Sequence, residues 1–270
     1  MSRFVTSPAL HGPRASASER GTLDGLASPV KEYSSGGSPM RTCVAWMVLL
    51  FGFTACSGGG LEPGAGNDPG THTGALGASG SVVATPLHAN ASAASEFTSE
   101  FQVEVLNSSG PVTTGTVTVT SATGTVPLTF SHDGHLGYWT GSAAGYDEVY
   151  VLDVVTGADR LEGVRVDGPD IHVFSQPTEG AVVDPLTPLI FGWHRSERAD
   201  SAVMNIDSSI IAYLLDSGEY SLSPEVLRLA DEHAVQHTVR LERTNSVDLG
   251  AGTSWSATLV NEIDVITPMP

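Results

Sequence analysis

Lysine and cysteine are nearly missing from this chain. Its 270 residues hold one lysine, Lys31, and two cysteines, Cys43 and Cys56. Without lysine after residue 31, the rest of the chain cannot carry a Schiff-base lysine, a Walker phosphate lysine or a Ser-x-x-Lys nucleophile. No G-x-S-x-G elbow occurs either. Cations as a class are scarce: 12 Lys+Arg stand against 30 Asp+Glu, a formal charge of −18. Neutralising phosphates needs a basic surface, so general nucleic-acid binding is excluded. The imbalance is also uneven. Arg3, Arg14, Arg20, Lys31 and Arg41 precede residue 42, leaving seven Arg against 27 acids from Ser57 onward, a net charge near −20. Charged residues make up only 16% of the chain, beside Gly 30 and Pro 16. That balance favours strands and turns over helices. The hydrophobic 40% is enough to fill at least one core.

Met40-Arg41 followed by Cys43 to Ala55 (CVAWMVLLFGFTA) gives a positive start and an apolar run. At roughly 13 residues the run suits a cleaved secretory signal and falls short of the ~20 a spanning helix needs. Phe53-Thr54-Ala55-Cys56, then Ser57-Gly58-Gly59-Gly60, resembles the lipobox of bacterial lipoproteins. The resemblance covers about 20 residues and implies that the Cys56 sulfur receives diacylglycerol before cleavage on its amino side. Phe53 departs from the usual Leu at that position. With Cys43 removed and Cys56 acylated, the mature chain would hold no free thiol and no disulfide, so packing alone must stabilise it.

Residues 1–39, rich in Ser, Gly and Ala and lacking periodicity, read as a disordered extension or a misassigned start. Residues 40–55 read as the signal segment. Residues 56–96, with nine Gly after Cys56 and no apolar pattern, read as the lipid anchor and a flexible tether with a reach of roughly 35 Å.

Period-two alternation begins at Phe97. Phe101, Val103 and Val105 alternate with polar residues, as do Val117 and Val119, Val126 to Phe130, and Val149 to Val155, with Gly-, Asn- and Pro-containing turns between them. The expected fold is all-β: two tandem antiparallel β-sandwich domains, at 97–174 and 175–270. The first resembles the transthyretin-like or carboxypeptidase-regulatory sandwich through its short strands, Gly137-Tyr138 and YVLDVVTG. The second resembles fibronectin type III and related immunoglobulin-like domains. Its Pro-led start, Trp193, SGEYSLSPEVL and HTVRLERTN carry that likeness, with His237 where the family usually has tyrosine. Trp255, Ala257, Leu259, Ile263 and Val265 keep one phase to the end.

Candidate chemistry is thin on this scaffold. His233 and His237 would share a metal on a helix face, but in a strand the spacing sets them about 13 Å apart. His132 and His135 flank the Asp133-Gly134 turn, where two imidazoles could meet. Asp153, Asp159, Asp167 and Asp170 raise calcium without matching an EF-hand loop. Acidic and loop residues are therefore expected to be surface groups, with no catalytic, cofactor or metal residues assigned and Cys56 as the lipidation site.

The leading expectation is a non-catalytic envelope lipoprotein whose sandwiches bind or space something. Long, uncharged sheet edges would favour partner addition, and charged ones a spacer. The alternatives are a carbohydrate-binding accessory module, with Tyr138, Trp139, Tyr146 and Tyr150 as its aromatic group, and a metal-dependent hydrolase. The implied partners are a membrane, through Cys56, and an envelope protein or glycan. Ser57 lacks the Asp that retains lipoproteins at the inner membrane, which places the outer membrane ahead.

Overall fold

The computed structural model describes residues 61–133, 136–224, 226–227, 235–251 and 253–268. They form an all-β body in which the only helical element among the described residues is a 3-10 turn at Ala94–Glu96. In chain order the strands are β1 (Thr71–Thr73), β2 (Gly77–Pro86), β3 (Phe97–Asn107), β4 (Gly110–Pro111), β5 (Thr116–Ser121) and β6 (Gly124–Pro127). Then come β7 (Thr129–Asp133), β8 (Leu136–Ala144), β9 (Val149–Thr156), β10 (Asp159–Asp167), β11 (Val173–Gln176) and β12 (Ala181–Val182). The last six are β13 (Leu189–His194), β14 (Ser201–Ile206), β15 (Ser209–Leu214), β16 (Glu219–Leu222), β17 (Val235–Gly250) and β18 (Thr253–Thr267).

One large sheet runs β15-β14-β17-β18-β2-β3-β8-β7, with β4 beside β3 and β12 beside β18. Two smaller sheets cover the same face of it at different ends: β1-β10-β9-β5-β6 and β11-β13-β16. The result is two sandwich lobes sharing one long hairpin. β17 and β18 pair antiparallel from Val235↔Thr267 to Gly250↔Thr253. The tip half of β18 pairs parallel with β2, and its far end pairs parallel with β12.

Alternation explains how one hairpin serves both cores. Odd positions of β17 and β18 point inward, since side chains two apart share a face. Val247, Trp255, Ala257 and Leu259 enter the first core, and Val239, Leu241, Ile263 and Val265 the second. Between them the same face carries Arg243 and Asn261, both fully buried. Burying a large apolar side chain contributes about 1.5–3 kcal/mol, so each lobe is held by its own apolar set. The two sets meet at a polar waist.

The structure corrects two expectations. The segment expected as tether carries β1 and β2, and β2 is an interior strand with Ala78, Val82 and Ala84 buried. It lacks bulky residues because its neighbours have them: Gly80 lies between Trp255 and Val103 in register, Val82 between Ala257 and Phe101. A Cβ on Gly80 would stand 2.5 Å from the Gln102 carbonyl oxygen, so the close approach requires glycine there. The expected boundary at 174/175 cuts through β11 (Val173–Gln176), a strand of the second cover sheet, and the lobes are not tandem. Residues 235–267 supply strands to both, so the common sheet crosses the boundary.

Candidate functional site

The waist is the most polar interior region. Arg243, on β17, donates through Nε to Asp216 Oδ2 (3.0 Å), through Nη1 to the Asp170 carbonyl (2.7 Å), and through Nη2 to Asp170 Oδ1 (3.0 Å) and the Glu197 carbonyl (2.5 Å). One guanidinium thus ties the 168–172 linker, the 195–200 loop and the turn after β15 to the hairpin. Asp216 is also fully buried, and accepts from Trp193 Nε1 (3.0 Å) and the Ala199 amide (2.7 Å). Burial pushes its pKa up, but those two donors and the Arg243 charge outweigh burial and hold it below the usual value.

Asn261 closes the other side of the waist. Its Nδ2 donates to the Ala91 and His172 carbonyls, both at 2.7 Å, and its Oδ1 accepts from the Ala91 amide at 3.1 Å. Beside it His172 is fully buried, with neither ring nitrogen hydrogen-bonded. Burial, reinforced by the Arg243 charge, pushes its pKa down to about 3, so the ring is neutral under ordinary conditions. The Tyr146 hydroxyl donates to the Pro169 carbonyl. Burial raises Glu148, and the neighbouring Asp170 and Glu197 charges add to the effect. Arg243, Asp216 and His172 expose no surface to a ligand, so their chemistry is internal cross-linking.

A second constellation has the order of a nucleophilic triad. His237 Nδ1 lies 2.6 Å from Asp207 Oδ2, and its Nε2 lies 3.3 Å from Thr267 Oγ1. Such an order activates a hydroxyl only where substrate can reach it. His237 is 1% exposed and Thr267 5% exposed. The trio closes the end of the second core.

A third feature is the entry of the chain into the body. Asp167 Oδ2 accepts the Gly64 and Gly66 amides at 3.0 and 2.9 Å. Arg165 Nη2 donates to the Glu62 carbonyl at 2.5 Å, and its Nε to Asp167 Oδ1 at 2.7 Å. The Asn67 side chain donates to the Ser246 carbonyl, and Asp68 and Arg165 exchange backbone hydrogen bonds. The chain is therefore fastened to β10 from residue 62 onward.

The residues singled out in the sequence are scattered. Cys56, His135 and His233 lie outside the described residues. His132 is exposed on β7, and His237 lies on a strand, as its alternation indicates. Asp153 accepts the Gly163 amide, while Asp167 and Asp170 bond the entry strap and the waist. Asp159 opens β10. Among the described residues no group of three or more His, Cys, Asp or Glu is placed to hold a metal. Trp139, Tyr146 and Tyr150 are buried, and only Tyr138 of that aromatic group is partly exposed. Sequence reasoning missed Arg243, Asn261 and Asp216. The first two were visible as polar residues at in-phase positions of otherwise apolar strand faces.

Sheet edges differ in character. β1 is three residues long, β6 ends in Pro127, β7 in Asp133, and β16 opens with Glu219. On β11, the Asn90 side chain bonds both the amide and the carbonyl of Phe174. β15 (SIIAYL) has neither charge nor proline. The outer face of the large sheet carries shallow polar depressions, one of about 390 Å³ over Ser81, Glu100, Gln102, Thr140 and Ser142.

No protein-family model matches the chain, and no curated protein matches it. A solved structure described as concerning host cell surface retention of a 1.5-MDa bacterial ice-binding adhesin aligns with 74% of this chain and 66% of its own, less than two thirds, at 15% identity. Its TM-score is 0.21, a likeness that assigns nothing to this chain.

Proposed function

We propose that this chain is a non-catalytic envelope lipoprotein, acylated on Cys56, whose rigid two-lobed β-body serves as a binding or spacing module at the outer membrane. The observation that carries the reading is the fastening of residues 62–68 to β10 directly after the lipobox-like segment. Six residue steps separate Cys56 from Glu62, at most ~20 Å of extended chain. The leash is therefore shorter than the composition of residues 56–96 implies, and the acyl group would hold the body close to the bilayer. With about −20 net charge, the body is repelled by anionic head groups within a Debye length of ~8 Å, so tether and repulsion together set its distance.

The non-catalytic part of the reading is supported by the polar interior. The His237 ring, the Thr267 hydroxyl and the Arg243–Asp216 pair are closed to solvent, and of these groups' partners Asp207 is half-exposed. The glycan alternative loses its aromatic group to the core, since Trp139, Tyr146 and Tyr150 pack inside the first lobe. The uncharged β15 edge favours partner addition over a pure spacer.

Expression of the full chain and of Cys56→Ser in a bacterial host, with fractionation and a labelled fatty acid, tests the anchor. Label and membrane recovery are expected for the first and loss of both for the variant. Equal recovery of both in the soluble fraction would remove the reading.

A further inference from the structure

We infer that β15 is a self-association edge, through which a second copy of this chain adds antiparallel to extend the large sheet across both molecules. Among the described residues nothing pairs with the outer side of β15, so its outward amides and carbonyls form an open ladder. The other edges described above are shortened, or carry proline, a charge or a capping side chain. β15 is six residues of strand with neither charge nor proline, interrupted on its β14 side by one bulge at Ile211.

Two observations single out a second copy as the occupant. The first is charge. On a body near −20, most contacts between copies set carboxylates against carboxylates, and Ser209 to Leu215 is a seven-residue stretch without a charge. The second is self-complementarity. A two-fold axis normal to the strand pairs β15 with its own sequence reversed, so uncharged residues meet uncharged residues along its whole length. Tyr213, at 79% exposure, and Leu215, at 78%, are the most exposed large apolar side chains among the described residues, and they sit together at this edge. Leu214 and Ile211 pack only partly into the second core, so strand addition would cover them as well.

A single added strand buries little area and falls in the weak class of interfaces, below ~1,200 Å². Salt should strengthen it, because the residual force between two polyanions is repulsion and salt screens repulsion.

The test uses the full chain in non-ionic detergent micelles, with sedimentation velocity and amide hydrogen exchange up to about 0.5 mM. A concentration-dependent dimer is expected, tighter in high salt than in low. Exchange at Ser209–Leu214 should slow as the dimer fills. The double variant Tyr213→Asp/Leu215→Asp sets like charges across the axis and should weaken the dimer about tenfold or more, with an unchanged circular dichroism spectrum. A monomer throughout the range, or a dimer without protection of Ser209–Leu214, would overturn the inference. So would a dimer indifferent to the double variant. None of these readouts depends on where Cys56 carries the chain.

Discussion

The two lobes share one hairpin face yet are built on different physics. The first lobe is covered by five strands and packed with aromatics: Phe97 against Tyr146, Tyr146 against Tyr150, and Tyr150 against Phe101, with ring centroids 6.1, 6.1 and 5.9 Å apart. Its entering chain is strapped down along β10. The second lobe has a three-stranded cover and an open edge at β15, and it buries an imidazole at one end and a carboxylate–guanidinium pair at the other. Where apolar area suffices, loops can be short and passive. Where the cover is narrow, long loops must be held by charge, and Arg243 is the residue that holds them.

The sharpest way to break this comparison is Arg243→Met. It leaves Asp170 and the buried Asp216 without that guanidinium, and Asp216 with only the more distant Arg195, whose Nε lies 3.6 Å from its Oδ1. Removing one partner of a buried pair costs about 3–5 kcal/mol. The loss should fall on the second lobe, seen as a lower denaturant midpoint and faster amide exchange in β13 and β16. Pairing it with Asp216→Asn should recover part of the loss, since the stranded charge goes with it. If the single variant unfolds no more easily than the native chain, the waist is decoration.

How much of this was legible in the sequence depends on what each strand must show. β3, β5, β9, β17 and β18 announce themselves because one face meets a core and the other meets solvent, so period two survives. β2 does not. Wedged between strands that supply Trp255 and Phe101, it can offer only Gly, Ala and Val, and it reads like linker. The lobes' common sheet was hidden for a related reason. Pairing of β2 with β18 joins residues about 175 apart, and no local pattern encodes a parallel contact of that range. Arg243 and Asn261 were readable as interruptions of phase, but their partners Asp216 and Ala91 lie in loops with no periodicity to betray them. Cys56 and its neighbours Phe53 to Gly60 lie outside the described residues, so the proposed anchor rests on the sequence alone.

A matched pair of core truncations sharpens the comparison further. Leu259→Ala and Leu241→Ala remove the same atoms from the same face of the hairpin, one in each lobe. Each should cost about 2–5 kcal/mol. In a body joined by one hairpin both should lower a single cooperative transition. Two separable transitions, each answering to one variant, would show that the waist uncouples the lobes.

Acid probes the waist more gently. His172 titrates at about 3 in the folded chain against 6.5 in a free side chain. Below pH 6.5 the unfolded chain therefore binds a proton that the folded chain refuses, and stability falls as pH falls, down to about pH 3. The slope is about 1.4 kcal/mol per pH unit, or about 2 kcal/mol by pH 5. Asp216, whose pKa is lowered, loses its contribution only as pH falls below its ordinary value of 3.8, so it adds nothing to the slope between pH 7 and 5. Denaturant titrations from pH 7 to 5 on the native chain and on His172→Phe should differ in slope, the variant being flatter. Identical slopes would mean that the ring finds a partner for its proton.

The smallest effect belongs to the entry strap. Asp167→Ala removes the acceptor of two glycine amides and one of the partners of Arg165, at a partly exposed site. Losing these bonds should cost only about 1–2 kcal/mol locally, because water can replace most of them. The cores are untouched, so the global midpoint should hardly move. What changes is the leash. With residues 62–66 loosened while Asn67 and Asp68 stay bonded to Ser246 and Arg165, the distance from Cys56 to the first fixed residue grows from six steps to about eleven, or ~36 Å when extended. Exchange at Gly64 and Gly66 should approach that of an open chain, and a protease should cut between Glu62 and Asn67 in the variant while sparing the native chain. If both chains are cut alike, the strap is open in the native protein, and the body stands farther from the proposed anchor than the hydrogen bonds of Asp167 indicate.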